Sequence, residues 1–386
     1  MTGARPPHTQ PLSGARLLLE ALTRDATRPV FDATDRIPNA IPTANNATAL
    51  AAATGFAAAS GRAGVAVVSA PDTLPTGIPV VMVVIAEEAV AVEGMRWSAV
   101  VSQVEQLPRT IQQAVRNTLA SAPGPVLVQV HPEVLAQTAV PEWSDPPQYP
   151  ALEGDPENIE AAAAALSVCQ TPVLILGQQW RFSAHAEALR AFVVRMELPC
   201  FALGCAAGSL PADSRFAIQA GLPAALAAAD LVLTVGVPGT APLLTDVPPL
   251  AFLVQIDLDP AGHSPSADVA IRADAGRVMA QLTGYREDDG WLLQVRAFEQ
   301  AGWEALSPAE QAMRDALAEA PVVVAETAHS TLPPSEAQGR HLLAQPGVGA
   351  GVVIGAGRAW PAHPVALISG DPVVVRVFPP VKEGGL

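Results

Sequence analysis

Pro172-Val173-Leu174-Ile175-Leu176-Gly177 is the stretch on which the fold turns. Apolar residues follow one another without alternation, so both faces of the strand they form are covered, as in a parallel sheet. Gly177 closes it as a turn. The spacing then predicts a helix over Ala184–Met196 and a second strand over Pro199–Leu203. A helix over Pro223–Ala229 precedes strands at Leu231–Val235 and Ala251–Asp257, and a helix over Ala275–Leu282 closes the unit. Short buried strands alternating with helices specify an α/β fold built on doubly wound parallel sheets.

The same pattern runs upstream. Leu12–Asp25 has helical spacing, Pro29–Phe31 is a short strand, and Thr48–Ser60 is an Ala-rich helix closed by Gly61. Val65–Ser69 and Pro79–Ala86 are buried strands, followed by a helix over Leu107–Ser121 and a strand over Pro125–Val130. The proline-rich stretch from Val140 to Pro156 is a linker in composition. These signals predict a first domain over 1–139, a linker over 140–157, a central domain over 158–286 and a third, shorter segment over 287–386. That last segment has helices over Trp291–Glu304 and Pro308–Ala318, a strand over Pro321–Ala325 and a glycine-rich run from Gly347 to Gly357.

Composition narrows the function. The chain has 386 residues, is 50% hydrophobic and carries a formal charge of −15. An acidic surface is the wrong partner for phosphate backbones, which excludes general nucleic-acid binding. No uninterrupted apolar run reaches membrane-spanning length, and the start has no apolar core of a signal peptide. Cys169, Cys200 and Cys205 follow no metal or disulfide spacing. They fit a reducing, cytoplasmic setting.

A candidate metal carboxylate stands at Pro364-Val-Ala-Leu-Ile-Ser-Gly370-Asp371-Pro372. A carboxylate at the C-terminal end of a parallel strand is well placed to hold a metal or a phosphate-bearing cofactor, and Gly370 lets backbone approach a diphosphate. Pro372, with no N–H, breaks that arrangement. Asp-Pro is also ordinary turn chemistry.

Several blocks in order resemble the thiamine-diphosphate-dependent decarboxylases and carboligases of the acetolactate synthase type. Leu107–Val134 is similar to the end of their pyrimidine-binding domain. Pro172–Gly177, Leu198–Ala202, Ser209–Asp213, Ala229–Gly236 and Gln255–Pro260 are similar to their Rossmann-like central domain. Ala53-Thr-Gly-Phe-Ala-Ala-Ala-Ser-Gly-Arg62 resembles the helix that follows their catalytic glutamate. The resemblance implies a pyrimidine domain, a central domain and a truncated diphosphate domain, with thiamine diphosphate and magnesium as cofactors. It also implies a homo-oligomer or a hetero-oligomer with a full-length relative, because the family's active site forms between subunits.

Three departures fall in the implied site. Nine positions before Gly55, where the family's glutamate promotes the imino tautomer of the cofactor, this chain has Asn46. An amide hydrogen-bonds but does not exchange a proton. Asn45 and Asn46 are equally natural helix caps. Ala70–Ile78 joins two strands where the family has a turn and a helix. Asp371 matches the family's magnesium ligand, but Pro372 replaces the second glycine, and one carboxylate does not make an octahedral magnesium site. The expectation is a degenerate member, non-catalytic or dependent on a partner, with an active 2-oxo acid decarboxylase or carboligase as the alternative.

A third expectation concerns the central domain, which in this family binds FAD, an adenine nucleotide or nothing. Gly177 opens the first strand-to-helix turn, where a phosphate would sit. Asp257 and Asp259 lie at a strand end, where a ribose would be held, or form a solvated turn before Pro260. No G-x-G-x-x-G pattern is present, and Gln178 and Gln179 are bulky. A nucleotide- or acyl-CoA-binding module is the reading these residues leave open. His329, at another strand end, has no recognisable partner.

Overall fold

The computed structural model describes residues 10–24, 29–70, 77–119, 122–143, 152–183, 187–211, 213–259, 262–286, 290–306, 322–326, 340–344, 349–359, 365–369 and 374–378. In chain order the first elements are β1 (Leu12–Ser13), α1 (Gly14–Thr23), β2 (Val30–Asp32), β3 (Ile41–Pro42), α2 (Asn46–Ser60), β4 (Gly64–Val68), β5 (Val80–Ile85), β6 (Trp97–Val101), α3 (Leu107–Leu119), β7 (Val126–Val130) and β8 (Thr138–Ala139). Then come α4 (Pro156–Val168), β9 (Pro172–Leu176), α5 (Glu187–Met196), β10 (Cys200–Ala202), β11 (Ala217–Ile218), α6 (Leu222–Ala227), β12 (Leu231–Val235), β13 (Phe252–Asp257), β14 (Val269–Arg272), α7 (Ala275–Gln281) and α8 (Trp291–Glu304). The remainder is β15 (Val322–Glu326), β16 (Arg340–Ala344), α9 (Gly349–Ala359), β17 (Val365–Ser369) and β18 (Val374–Phe378).

The chain divides into two compact units. The first is Met1–Tyr149 with Ala350–Ala359, and the second is Pro150–Gly349 with Trp360–Leu386. The first unit holds a six-stranded sheet in the order β3-β2-β4-β5-β7-β6, with every neighbouring pair parallel. β4, β5 and β7 are buried along their whole length, as their unbroken apolar runs require. On one face α1 and α3 supply Leu17, Leu18, Leu22, Leu107 and Ile111 to the core.

α2 belongs to the same unit and is unlike those amphipathic helices. Every residue from Ala49 to Ala59 is buried. Such a helix needs neighbours on all sides, and small side chains let them come close. A Cβ on Gly64 would lie 2.0 Å from the carbonyl oxygen of Ala53, so β4 and α2 touch through backbone. A Cβ on Gly55 would lie 2.1 Å from the Val352 oxygen, and one on Gly355 would lie 1.8 Å from the Ala52 oxygen. α9 therefore packs backbone to backbone on α2. This segment read as an irregular glycine-rich run in the sequence. Its glycines serve helix contact, at a local cost of about 1 kcal/mol each relative to alanine.

The second unit holds a six-stranded parallel sheet in the order β11-β10-β9-β12-β13-β14. Numbered from its first strand, that is 3-2-1-4-5-6, the order of a dinucleotide-binding Rossmann sheet. α8, expected after the boundary at 287, packs on this core. Trp291, Leu292 and Val295 belong to its buried cluster, and the Trp291 indole N–H donates to the Pro172 carbonyl at 2.8 Å. A four-stranded sheet, β16-β15-β17-β18, completes the unit. β15 is parallel to both β16 and β17, but β18 runs antiparallel to β17, with Ser369 opposite Val374. Beyond the strand ending at Ser369, the β-branched run Val374-Val-Arg-Val-Phe378 forms β18. Among the described residues, no helix is long and apolar enough to cross a membrane.

The backbone contacts around α2 make a direct prediction. Gly64→Ala forces α2 away from β4, and overpacking of this kind costs about 1–3 kcal/mol. Gly94→Ala is the control: Gly94 has φ +79° with open space around it, so only backbone strain, on the order of 1 kcal/mol, applies. Urea unfolding should give the larger loss for Gly64→Ala; equal losses would contradict the contact.

Candidate functional site

Two groups of expected residues lie at the C-terminal edges of parallel sheets, one in each unit. In the first unit α2 begins with the two asparagines. Asn45 is the cap: its side-chain oxygen accepts from the Thr48 N–H at 2.8 Å, and its φ of −164° is extended. Asn46 is the first helical residue and makes a different contact. Its Oδ1 accepts from the Ser69 backbone N–H at 3.2 Å, and its Nδ2 donates to the Ser69 hydroxyl at 3.3 Å. Both ends of the amide are thus tied to the residue just after β4. Ser69 was not singled out in the sequence, since a lone serine after a strand carries no pattern. The residues from 71 to 76, within the expected short loop from Ala70 to Ile78, lie outside the described ones.

A second feature of that edge is the loop between β2 and β3. The Asp32 side chain is buried. Its Oδ1 accepts from the Thr34 N–H and hydroxyl, both at 2.7 Å, and its Oδ2 from the N–H groups of Arg36 and Ile37 at 3.1 and 2.9 Å. Asp35 and Asn39 adopt φ of 56° and 61°, a left-handed geometry that Asp and Asn tolerate better than most residues. These bonds shape the loop but leave the Asp32 carboxylate fully engaged.

In the second unit the expected residues are Gly177, Asp257 and Asp259. β9 and β12 are the neighbours at which the strand order reverses, and Gly177 directly follows β9 while Gly236 directly follows β12. Gly177 donates its N–H to the Val235 carbonyl at 2.8 Å. A Cβ on Gly177 would lie 2.2 Å from the Gly236 oxygen. Residues 178–182 form a 3-10 turn, not the start of the α-helix, and α5 begins at Glu187. Asp257 ends β13 and is 2% exposed. Its Oδ1 accepts from the Asp259 N–H at 2.7 Å, while its Oδ2 has no partner. Burial pushes its pKa up to about 6, against the opposing pull of the Asp259 and Leu258 N–H groups and the Gln179 side chain. His263, in the loop that follows, has its pKa lowered by burial.

The structure therefore brings Gly177 and Asp257 to one sheet edge, with Asp259 beside them, and places Asn46 in the other unit. Gly370, Asp371 and His329 lie outside the described residues. Sequence reasoning missed Gly236 as the partner of Gly177; the matching strand-end glycine in Leu231–Gly236 was the available signal. Cys169 and Cys200 lie toward the opposite, N-terminal ends of the strands, and burial raises their thiols, Cys169 to about 11 and Cys200 further. Among the described residues no group of His, Cys, Asp and Glu is arranged to hold a metal.

The implied cofactors can be tested against these geometries. For thiamine diphosphate, Asn46 offers no exchangeable proton, and its amide is committed to Ser69. That position does not fit the group. For a nucleotide in the central domain, the hollow lined by Gln179, Trp180, Ser183, Gly236, Asp257 and Asp274 has about 10 Å³, the space of one water.

Comparison with known proteins bears on both units. Residues 159–282 match the family model for the thiamine pyrophosphate enzyme, central domain. Chloroplastic acetolactate synthase 1 of Zea mays is 26% identical over 353 residues, covering 76% of this chain and 54% of that protein. The acetolactate synthase large subunit of Haemophilus influenzae is 28% identical over 219 residues, covering 52% of this chain and 38% of that protein. Oxalyl-CoA decarboxylase of Escherichia coli is 28% identical over 144 residues, covering 35% of this chain and 25% of that protein. The chain spans about half the length, or less, of these relatives.

Asp257 gives a pH prediction. Its folded pKa of about 6 lies above the ordinary value of 3.8, so folding favours the protonated form. The stability it contributes is full below about pH 4 and falls as pH rises through 6, by up to about 3 kcal/mol. Asp257→Asn should raise the Tm at pH 7.5 and leave it unchanged at pH 4. A pH-independent difference would contradict the assignment.

Proposed function

We propose that the chain, which is similar to acetolactate synthases and carries a match to the thiamine pyrophosphate enzyme central domain, acts as a non-catalytic member of that family, working through association with a full-length relative. The observation that carries this reading is the Asn46 amide. It stands where the resemblance puts the glutamate, and it is bonded at both ends to Ser69. General acid–base work at that position needs a group that gains and loses a proton near neutral pH. A carboxyl does so; a carboxamide does not. When bound, thiamine diphosphate supplies carbanion stabilisation. This chain's part would be to hold the pyrimidine and exchange its proton, and Asn46 provides only a neutral hydrogen-bonding clamp for its own β4.

The reading gives Asn46 a positive role as well. By joining the start of α2 to the end of β4, it fixes two elements that meet at the sheet edge. The edge is then held in place without a proton-exchanging group at this position. Magnesium has no further support among the described residues, because the one candidate ligand, Asp371, is not among them.

Calorimetry tests the proposal. With magnesium present, thiamine diphosphate should give no saturable heat with the purified chain, and pyruvate should not be consumed by the chain alone. Micromolar binding or turnover by the chain alone would overturn it. Co-purification with a full-length acetolactate synthase would support the associative role; a strictly monomeric chain in the presence of such relatives would count against it.

A further inference from the structure

We infer that the central domain fills its own ligand crevice, with the side chain of Gln179 as the internal occupant. In an open α/β sheet, ligands enter where the strand order reverses, at the C-terminal ends of the strands. Here that place lies between β9 and β12. Glycines at such ends usually let backbone approach a ligand. Gly177 and Gly236 approach each other instead, at a separation that leaves a Cβ on Gly177 only 2.2 Å from the Gly236 oxygen. Gly236 is also held at φ +64°, and a Cβ there would meet the Gln179 Cβ at 2.7 Å and the Trp180 nitrogen at 3.0 Å. The chain itself has closed over the crevice.

The 3-10 turn at 178–182 explains how. Trp180 is 3% exposed and belongs to the buried cluster of the central core, which anchors the turn over the strand ends. Its N–H donates back to the Gly177 carbonyl at 3.1 Å. That geometry makes Gln179 part of the wall of the remaining hollow, together with Ser183, Asp257 and Asp274. The Gln179 side chain lies against the Asp257 carboxyl and favours its charged form. An amide N–H beside a strand-end carboxylate offers the kind of contact a ligand hydroxyl would make. The match is incomplete, since Asp257 Oδ2 and Gln179 Oε1 are buried without partners. About 10 Å³ remains, against the 300 Å³ or more of an ordinary small-molecule pocket.

This inference is independent of the proposed role of Asn46, which lies in the other unit. It changes the expectation for the central domain: the nucleotide-binding reading requires a crevice that Gln179 and Trp180 occupy. The experiment uses the whole chain with FAD, ADP and CoA, each at millimolar concentration, in thermal-shift and equilibrium-dialysis measurements. The unaltered protein should show no shift with any of them. Gln179→Ala and Gln179→Gly should gain a shift of at least ~3 °C with one or more, and saturable dialysis binding. Adding Asp257→Ala to either should remove the gain. Saturable binding by the unaltered chain would overturn the inference, as would variants that remain folded by circular dichroism and still bind nothing. Should both variants fail to fold, Gln179→Asn keeps the amide on a shorter stem and should give a weaker gain; a folded Asn variant that binds none of the three would also overturn it.

Discussion

The contact of α2 with its neighbours is the constraint on which the first unit depends. A helix buried from Ala49 to Ala59 presents no polar face, so it forms only where other elements enclose it. β4 reaches it through Gly64, and α9 reaches it through Gly55 and Gly355. Alanine and glycine are the residues that allow it. Larger side chains would hold the elements at the usual interaxial distance of about 8–10 Å and open gaps that nothing here fills. The position of Asn46 follows from this enclosure. Because α2 is seated against β4, its first residue stands beside Ser69, the residue that follows the strand.

The second unit rests on an analogous close approach, put to a different use. Gly177 and Gly236 touch at the one place where a Rossmann sheet normally leaves a gap. The strand order is that of a nucleotide-binding sheet, while the local chemistry is that of a closed one. Fold and site are separable in this way because strand order is set by the buried apolar runs, whereas the crevice is set by a few turn residues. Gln179 and Trp180 decide the matter, and neither belongs to a strand. A scan that scores strand-end glycines as ligand approach would mark a site at the point where the chain packs on itself.

The parallel sheets were legible in the sequence because runs such as Val80–Ile85 and Leu231–Val235 have no polar residue to place at a surface. The elements that escaped reading each lack that signal. β6 alternates half-exposed and exposed residues at the sheet edge, with Val100 open to solvent, so its pattern resembles an ordinary loop. β3 and β11 are two residues long. α9 was hidden by its glycines, which depress helix propensity and are explained only by the partner helix. Site residues divided in the same way. Asn46 and Asp257 stood out by chemistry and position. Ser69, Gly236 and the role of Gln179 depend on contacts over 23, 59 and 78 residues of sequence, from Asn46 to Ser69, Gly177 to Gly236 and Gln179 to Asp257. No local pattern encodes separations of that length.

The discontinuity of the first unit has a bearing on how the protein is made. Its helix 350–359 is encoded after residues 150–349, which belong to the other unit. At a synthesis rate of roughly 5–20 residues per second, α2 would wait on the order of 15–60 s at the ribosome before its covering helix emerged. Throughout that interval Ala51, Ala52 and Gly55 would lack their eventual neighbour. The chain must therefore shield a bare apolar helix during its own synthesis, which leaves the first unit, though first out, unfinished until most of the second has been made.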